Sequence, residues 1–223
     1  MRQHKSKKIF IYFLLLLFLG SIQNINLNNK NYKKINSIKV SGLSEVENKM
    51  LSNEIKNLNL ENIFFMKKKK VYEIINNNSL VENFKIFKIY PYTLDVKIEK
   101  TNFLARISNE KKIFIIGSNG KLLKNQTSKN DLPFIFGNPE IEEFLEIKRK
   151  IDKSKFSFNE IQNLYFFPSR RWDLELKNDI FLKLPKDHIR DALDHIFKIM
   201  NEKNIKKITS IDARIKNQLI LND

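Results

Sequence analysis

Between Leu94 and Glu99 the apolar residues fall on every second position: Leu94, Val96 and Ile98 alternate with Asp95, Lys97 and Glu99. A period of two marks a strand with one face buried and one in water. The segment ahead of it, "ENFKIFKIY", is strand-like as well, and Pro91-Tyr92 reads as a tight connection between the two. Further upstream, "INSIKVSG" predicts a short strand that ends at the turn glycine Gly42. Ser44 and Glu47 then stand three apart as a capping box, the start signal of a helix. Val46, Met50, Leu51, Ile55 and Leu58 follow at helical spacing. After the apolar Ile63, Phe64 and Phe65, a shorter helix carries Val71, Ile74 and Ile75 and is stopped by "NNNS". Residues 35–107 thus predict the order strand, helix, helix, strand, strand, which buries one face of a small sheet under two helices. The run Lys67–Lys70 reads as a solvated helix start.

Past Ile107 the pattern becomes mostly β. "KKIFIIGSNGKLLK" predicts a hairpin folded about Gly117-Ser118-Asn119-Gly120, and "GSNGK" is too short for a phosphate-binding loop. A loop over Asn125 to Asn130 leads to the short strand "LPFIFG". "PEIEEFLEIKRKI" is an amphipathic helix with Ile141, Phe144, Leu145, Ile147 and Ile151 as its apolar members. "IQNLYFF" is a strand stopped at Pro168. In "RRWDLELKNDIFLKLP", Trp172, Leu174 and Leu176 alternate with Asp173, Glu175 and Lys177; Asn178-Asp179 signals a turn, and Ile180, Leu182 and Leu184 return. This is a hairpin with Trp172 on its apolar face, where burial of the ring contributes ~2–3 kcal/mol. Arg170 and Arg171 stand at the strand entrance, their heads within reach of solvent. Asp187 is placed to cap the next helix, whose apolar face is Ile189, Ala192, Leu193, Ile196, Phe197 and Met200. "IKKITSIDARI" and "QLIL" close the chain as a strand pair. The fold class is α+β, and residues 108–223 are expected to form a mostly antiparallel β domain with flanking helices.

The N-terminal end has a different character. "MRQHKSKK" is basic, and an apolar run from Ile9 to Ile22 follows it. Basic residues ahead of an apolar run predict a cytoplasmic tail, 1–8, a single N-terminal transmembrane helix, 9–25, and a polar linker, 26–34. The run is short against the ~20 residues of a spanning helix, so a secretory signal is the rival reading. Either reading exports the bulk of the chain to the periplasm; the first makes it a single-pass type II protein of the inner membrane. A formal charge of +16, from 41 Lys+Arg against 25 Asp+Glu, would suit nucleic acid. The excess is mostly lysine spread over the whole length, and an exported domain does not normally meet nucleic acid, so none is expected as a partner. The absence of cysteine removes disulfides, thiolate metal sites and cysteine nucleophiles. His188 and His195 can share a helix face near Asp187, Asp191 and Asp194, but zinc usually wants three or four converging ligands at tighter spacing. No Gly-x-Ser-x-Gly motif is present. No catalytic residue, metal or cofactor is expected.

"IKVSGL" near the start of 35–107 and "YPYTLDVKIEK", with "LARI", at its end resemble a POTRA domain, the polypeptide-transport-associated module. "LPFIFG", "RRWDLELKNDIFLKLP" and "SIDARI" follow in order. Together these stretches resemble the FtsQ/DivIB family of cell division proteins over nearly the whole chain, most closely its α-proteobacterial form. Phe103 stands where the family often has proline, and Asp179 where a turn glycine is usual. The resemblance implies a non-enzymatic scaffold at the division septum. It would link early division proteins, met through the POTRA domain, to the FtsB/FtsL complex and septal peptidoglycan synthesis. It also implies that FtsB adds a strand at the C-terminal sheet edge. Carried over by position, Arg214 matches an arginine that pairs with a partner carboxylate. Ile215 matches the contact that follows, usually aromatic, and one of Arg170 and Arg171 supplies a second arginine. Arg171 is expected to face the partner while Trp172 holds the corner. Another POTRA-bearing envelope assembly factor, or a peptidoglycan-binding module using the positive charge, are the alternatives.

Overall fold

The computed structural model describes residues 4–21, 34–64, 66–110, 112–124, 131–202, 208–216 and 218–222. The expected linker (all but Lys34), Phe65, the 125–130 loop and residues 205–207 lie outside them, as do residues 1–3 of the expected tail. Helix α1 spans His4–Ser21. Here the expectation of a single N-terminal transmembrane helix, and of the type II topology built on it, is corrected: among the described residues no helix is long and apolar enough to cross a membrane. Lys5, Lys7 and Lys8 fall inside the helix. The apolar stretch from Ile9 to Leu19 spans roughly 17 Å at ~1.5 Å per residue, against a hydrocarbon core of about 30 Å.

The first sheet follows the predicted order: β1 (Ser37–Ser41), α2 (Glu45–Asn57), α3 (Lys68–Asn77), β2 (Val81–Ile89) and β3 (Thr93–Lys100). β3 lies between the other two, parallel to β1 with Ser37 opposite Thr93 and antiparallel to β2 with Ile89 opposite Thr93. The Ser44 hydroxyl accepts from the Glu47 amide at 3.3 Å and the Glu47 carboxylate accepts from the Ser44 amide at 3.0 Å, the full capping box. Leu51 and Ile55 of α2 and Val71 and Ile75 of α3 bury against Leu94, Val96 and Ile98 of β3. The alternation that marked β3 is the one that seals this core.

The change of sheet falls between Lys100 and Phe103. β4 (Phe103–Asn109) already belongs to a second, nine-stranded sheet. Its other members are β5 (Lys112–Gly117), β6 (Leu122–Lys124), β7 (Phe134–Phe136), β8 (Ile161–Phe166), β9 (Trp172–Leu176), β10 (Phe181–Lys183), β11 (Ser210–Asp212) and β12 (Ile220–Asn222). Helices α4 (Ile141–Asp152) and α5 (Ile189–Glu202) link β7 to β8 and β10 to β11. Across the sheet the strands run β12-β11-β10-β9-β8-β7-β4-β5-β6. The sheet is mixed rather than mostly antiparallel: β4 with β7, β7 with β8, and β10 with β11 are parallel. For β7 with β8 and for β10 with β11 the cause is the helix between them: a strand that leaves through a helix returns at the end where it began, so the two strands so joined pair in parallel.

Register lines up one apolar side chain per strand. Phe114, Ile107, Ile135, Leu164, Leu174, Leu182, Ile211 and Leu221 are successive partners from β5 to β12. Phe144, Ile147 and Ile151 of α4 and Ile189, Leu193 and Ile196 of α5 pack in the same core. Trp172 lies in that core, 4% exposed, with its ring 4.8 Å from Phe166. Asp187 does not sit at the helix cap; His188, at φ +58, precedes Ile189, and its carbonyl accepts from the Ala192 amide at 3.1 Å.

Gly42 has φ +114, and a Cβ there would stand 1.8 Å from the Ile98 carbonyl oxygen. Gly42→Ala should therefore cost clearly more than the ~1 kcal/mol gained at a compatible glycine site. In urea or thermal melts the loss should appear in the first-sheet unit, with the unit carrying Trp172 fluorescence unaffected.

Candidate functional site

Helices α4 and α5 cover one face of the large sheet; the other carries the residues singled out in the sequence. Next to the apolar row, and pointing the opposite way, a second row runs Tyr165, Asp173, Lys183, Asp212 and Ile220 across β8, β9, β10, β11 and β12. Lys183 thus has a carboxylate on either side, each one strand spacing, ~4.8 Å, away. Arg171 and Arg214 extend this charged row at its two carboxylates.

Arg214 follows β11 directly. Its Nε donates to both Asp212 carboxylate oxygens, at 2.8 and 2.9 Å, and its Nη2 also donates to Oδ2. The Arg214 amide donates to Asp212 Oδ1 at 3.0 Å. These bonds with the guanidinium hold the Asp212 carboxyl below the usual carboxylate range, outweighing its burial. The side chain of Arg214 remains 45% exposed, so its outer N–H groups face water. Ile215 is exposed beside it, 53%.

The two consecutive arginines part company. The β8–β9 connection closes with the Phe167 amide donating to the Arg171 carbonyl at 3.0 Å, and Arg170 takes φ +60 within it. That left-handed residue turns Arg170 to α4, where Nε and Nη2 each lie 2.7 Å from Glu143 Oε1. Burial pushes the Glu143 carboxyl up, but the Glu140 amide and Arg170 outweigh it and leave it lowered. Arg171 instead lies over the Phe167 ring, 4.7 Å from its centre, and its Nε approaches Asp173 Oδ1 at 3.3 Å. Asp173 is 7% exposed, and burial raises its carboxyl pKa despite the pull of Arg171 and, more weakly, Arg214. The structure therefore puts Arg214 and Ile215 beside β11, next to the closing edge, sets Arg171 on the same face at β9, two strands further in, and ties Arg170 elsewhere.

Two features of this region were missed in the sequence. The first is the pair Asp173 and Asp212. Alternation puts Asp173 on the polar face of its strand, but the parallel pairing of β10 with β11 that brings it and Asp212 around Lys183 leaves no local signal. The second is a cleft of about 570 Å³ between the start of α5 and the β11–β12 connection. Ala192, Ala213 and Leu219 contribute apolar lining, and Lys186, His188, Asp191, His195, Arg214 and Lys216 contribute polar groups. Farther along the same open face, Tyr165 donates to Glu175 at 2.7 Å; burial first, and that carboxylate second, push its phenol up to about 12. Phe136 stacks on Tyr165 at 4.9 Å.

The outer side of β12 pairs with no other strand among the described residues. Three cations, Arg171, Lys183 and Arg214, face two carboxylates, Asp173 and Asp212, so this row carries one positive charge in excess. An unpaired strand edge with fixed guanidinium groups can accept an extended acidic segment by main-chain hydrogen bonds.

The family model described as Cell division protein FtsQ/DivIB, C-terminal, matches residues 105–214. That span begins within β4 and ends at Arg214. Cell division protein FtsQ of Bradyrhizobium diazoefficiens is 21% identical over 167 residues, covering 71% of this chain and 48% of that protein. Cell division protein DivIB of Clostridium botulinum is 32% identical over 133 residues, covering 59% of this chain and 51% of that protein. DivIB of Bacillus subtilis is 22% identical over 180 residues, covering 79% and 68%. The chain spans about half the length of the first two of these relatives.

The two buried carboxylates should leave opposite marks on stability. Asp212, lowered in the fold, contributes stability that is present above its unfolded pKa and lost as pH falls through the folded one. Asp173, raised in the fold, contributes stability that is present below its unfolded pKa and lost as pH rises through the folded one. In urea melts from neutral pH to about pH 2, the deficit of Asp212→Asn against the parent should shrink with acid, and that of Asp173→Asn should grow. Parallel pH curves for parent and both variants would contradict the assignment.

Proposed function

This chain belongs to the FtsQ/DivIB family of cell division proteins, and on that premise we propose that it acts without catalysis, as a scaffold of the bacterial division apparatus. In this reading it takes a strand of FtsB, itself paired with FtsL, onto the free edge of β12. So placed, it connects division proteins met through its first sheet to septal peptidoglycan synthesis.

The observation that carries the reading is the meeting of an unpaired strand edge with pre-set guanidinium groups. Asp212 fixes Arg214 through several hydrogen bonds, so little side-chain freedom is lost when a partner carboxylate arrives. Arg171 is likewise held, over Phe167 and against Asp173. A partner strand gains main-chain bonds along β12, and its acidic side chains set the register against the cationic row. Of the two adjacent arginines this assigns Arg171 to the partner and leaves Arg170 to the contact with α4. The cleft beside β12 gives the partner's chain a place to continue, with exposed Ile215 on its wall.

Titration with a purified FtsB–FtsL extracellular segment tests this. Arg214→Glu should weaken binding by about tenfold or more, since it turns an attraction into a repulsion beside an unchanged edge. Arg170→Glu should leave the affinity within about twofold, because its loss falls on Glu143 and not on the edge. Equal losses for the two variants, or none for Arg214→Glu, would remove the β12 edge from consideration.

A further inference from the structure

The "GSNGK" turn, too short for a phosphate-binding loop, sits where the two sheets meet. β3 and β4 are joined by only Thr101 and Asn102, yet the two sheets keep separate apolar cores. One core ends in sequence at Ile98 and the other begins at Ala105, with no residue in common. What connects the two units in space is a compact polar cluster centred on the β5–β6 turn, Gly117 to Lys121. Where the core clusters share no member among the described residues, the orientation of two units is free by default unless something else fixes it.

The cluster has one acceptor at its hub. Glu82 Oε2, on β2, accepts from the Thr101 hydroxyl at 3.0 Å and from the Ser118 hydroxyl at 2.7 Å. The two hydroxyl oxygens also lie 3.1 Å apart, and each accepts from a backbone amide as well. Thr101 Oγ1 accepts from the Asn119 amide at 3.3 Å, and Ser118 Oγ accepts from the Asn102 amide at 3.0 Å. The Ser118 amide returns a bond to the Asn102 carbonyl at 2.8 Å. Asn119 then reaches across: its Nδ2 donates to the carbonyls of Ser79 and Val81, both at 2.9 Å, while its Oδ1 accepts from the Lys121 amide at 3.0 Å. Lys121 closes the set by donating to the Asn78 carbonyl at 3.3 Å and to that of Asn76, at the C-terminal end of α3. A cation there also suits the negative end of the helix.

The fit is tight. A Cβ on Gly117 would stand 2.7 Å from both Thr101 Oγ1 and Asn119 Oδ1. Thr101 is 4% exposed, so its hydroxyl needs the partners it has. Glu82 is exposed, so water competes for the hub directly.

We propose that the Gly117–Lys121 turn is a releasable latch between the two sheet units. Closed, it holds them at one angle and so fixes how the first sheet and the β12 edge are presented relative to each other. Open, it leaves two intact cores joined by a two-residue hinge. The latch does not depend on the partner reading of β12, because its bonds lie wholly within this chain.

The chain has no cysteine, which makes paired labelling direct. Asn53→Cys on α2 and Glu142→Cys on α4 place one spin label on an exposed site of each unit. Pulsed dipolar spectroscopy on the full chain should give a narrow distance distribution. Adding Glu82→Ala and Asn119→Ala should more than double its width, with Trp172 fluorescence and far-UV dichroism unchanged. Ser118→Ala alone, which removes a single hydroxyl from a half-buried turn, should broaden it part of the way and serves if the double variant does not fold. A distribution already broad in the parent, or one that stays narrow in whichever variant folds, overturns the latch.

Discussion

One row of apolar side chains, from Phe114 on β5 to Leu221 on β12, organises the large sheet. Each inner member meets its neighbours on both sides at strand spacing, and the strands are short, three residues in β7, β10, β11 and β12. Strands so short hold their place by what they bury rather than by the length of their ladders. A slip of one residue would turn Leu182 or Ile211 to water and Lys183 or Asp212 into the core. Burial of each such aliphatic side chain is worth ~1.5–3 kcal/mol, enough to fix register strand by strand. Phe144, Ile147 and Ile151 of α4 and Leu193 and Ile196 of α5 complete the same core from one side.

The open face follows from that constraint. Once Leu174, Leu182 and Ile211 point to the helices, Asp173, Lys183 and Asp212 must point away, and they line up because their apolar neighbours do. Charge in the row is therefore a by-product of register. Asp212 holds Arg214 and Asp173 holds Arg171, so the guanidinium groups are arranged in advance of any partner. The division scaffold proposed for this FtsQ/DivIB family member rests on these groups and on the unpaired side of β12. The latch at Gly117–Lys121 acts at the other end of the problem, where two core clusters that share no residue among the described ones meet at a cluster of polar contacts.

Local pattern carried much of the fold. The alternation in "TLDVKIEK", the capping box at Ser44 and Glu47, the helical face from Ile141 to Ile151 and the hairpin about Asn178-Asp179 each appear in the structure. Each was legible because the interaction that makes it spans a few residues. Trp172 could be placed in the core because it alternates with polar neighbours. At the N-terminal helix the local pattern misleads: its apolar run predicts a span, but Lys5, Lys7 and Lys8 fall inside the helix and no described helix is long and apolar enough to cross a membrane. The cap at α5 went to His188 rather than Asp187 because the backbone turns one residue later than the residue types suggest.

The sequence by itself determined which residues are strand, which are helix and which face of each is apolar, since those depend on spacing along one chain. It also placed Arg170 and Arg171 at a strand entrance, while Arg214 and Ile215 were singled out by resemblance to the family. Only the tertiary structure decided that β10 pairs with β11 in parallel, that Asp173 and Asp212 therefore flank Lys183, and that adjacent arginines serve different elements. It alone turned "GSNGK" into the contact between two sheets. The reason is physical: helical and strand periodicity are local, whereas strand order, parallel or antiparallel sense and the pairing of distant charges depend on how helices return the chain, and no short stretch of residues records that path.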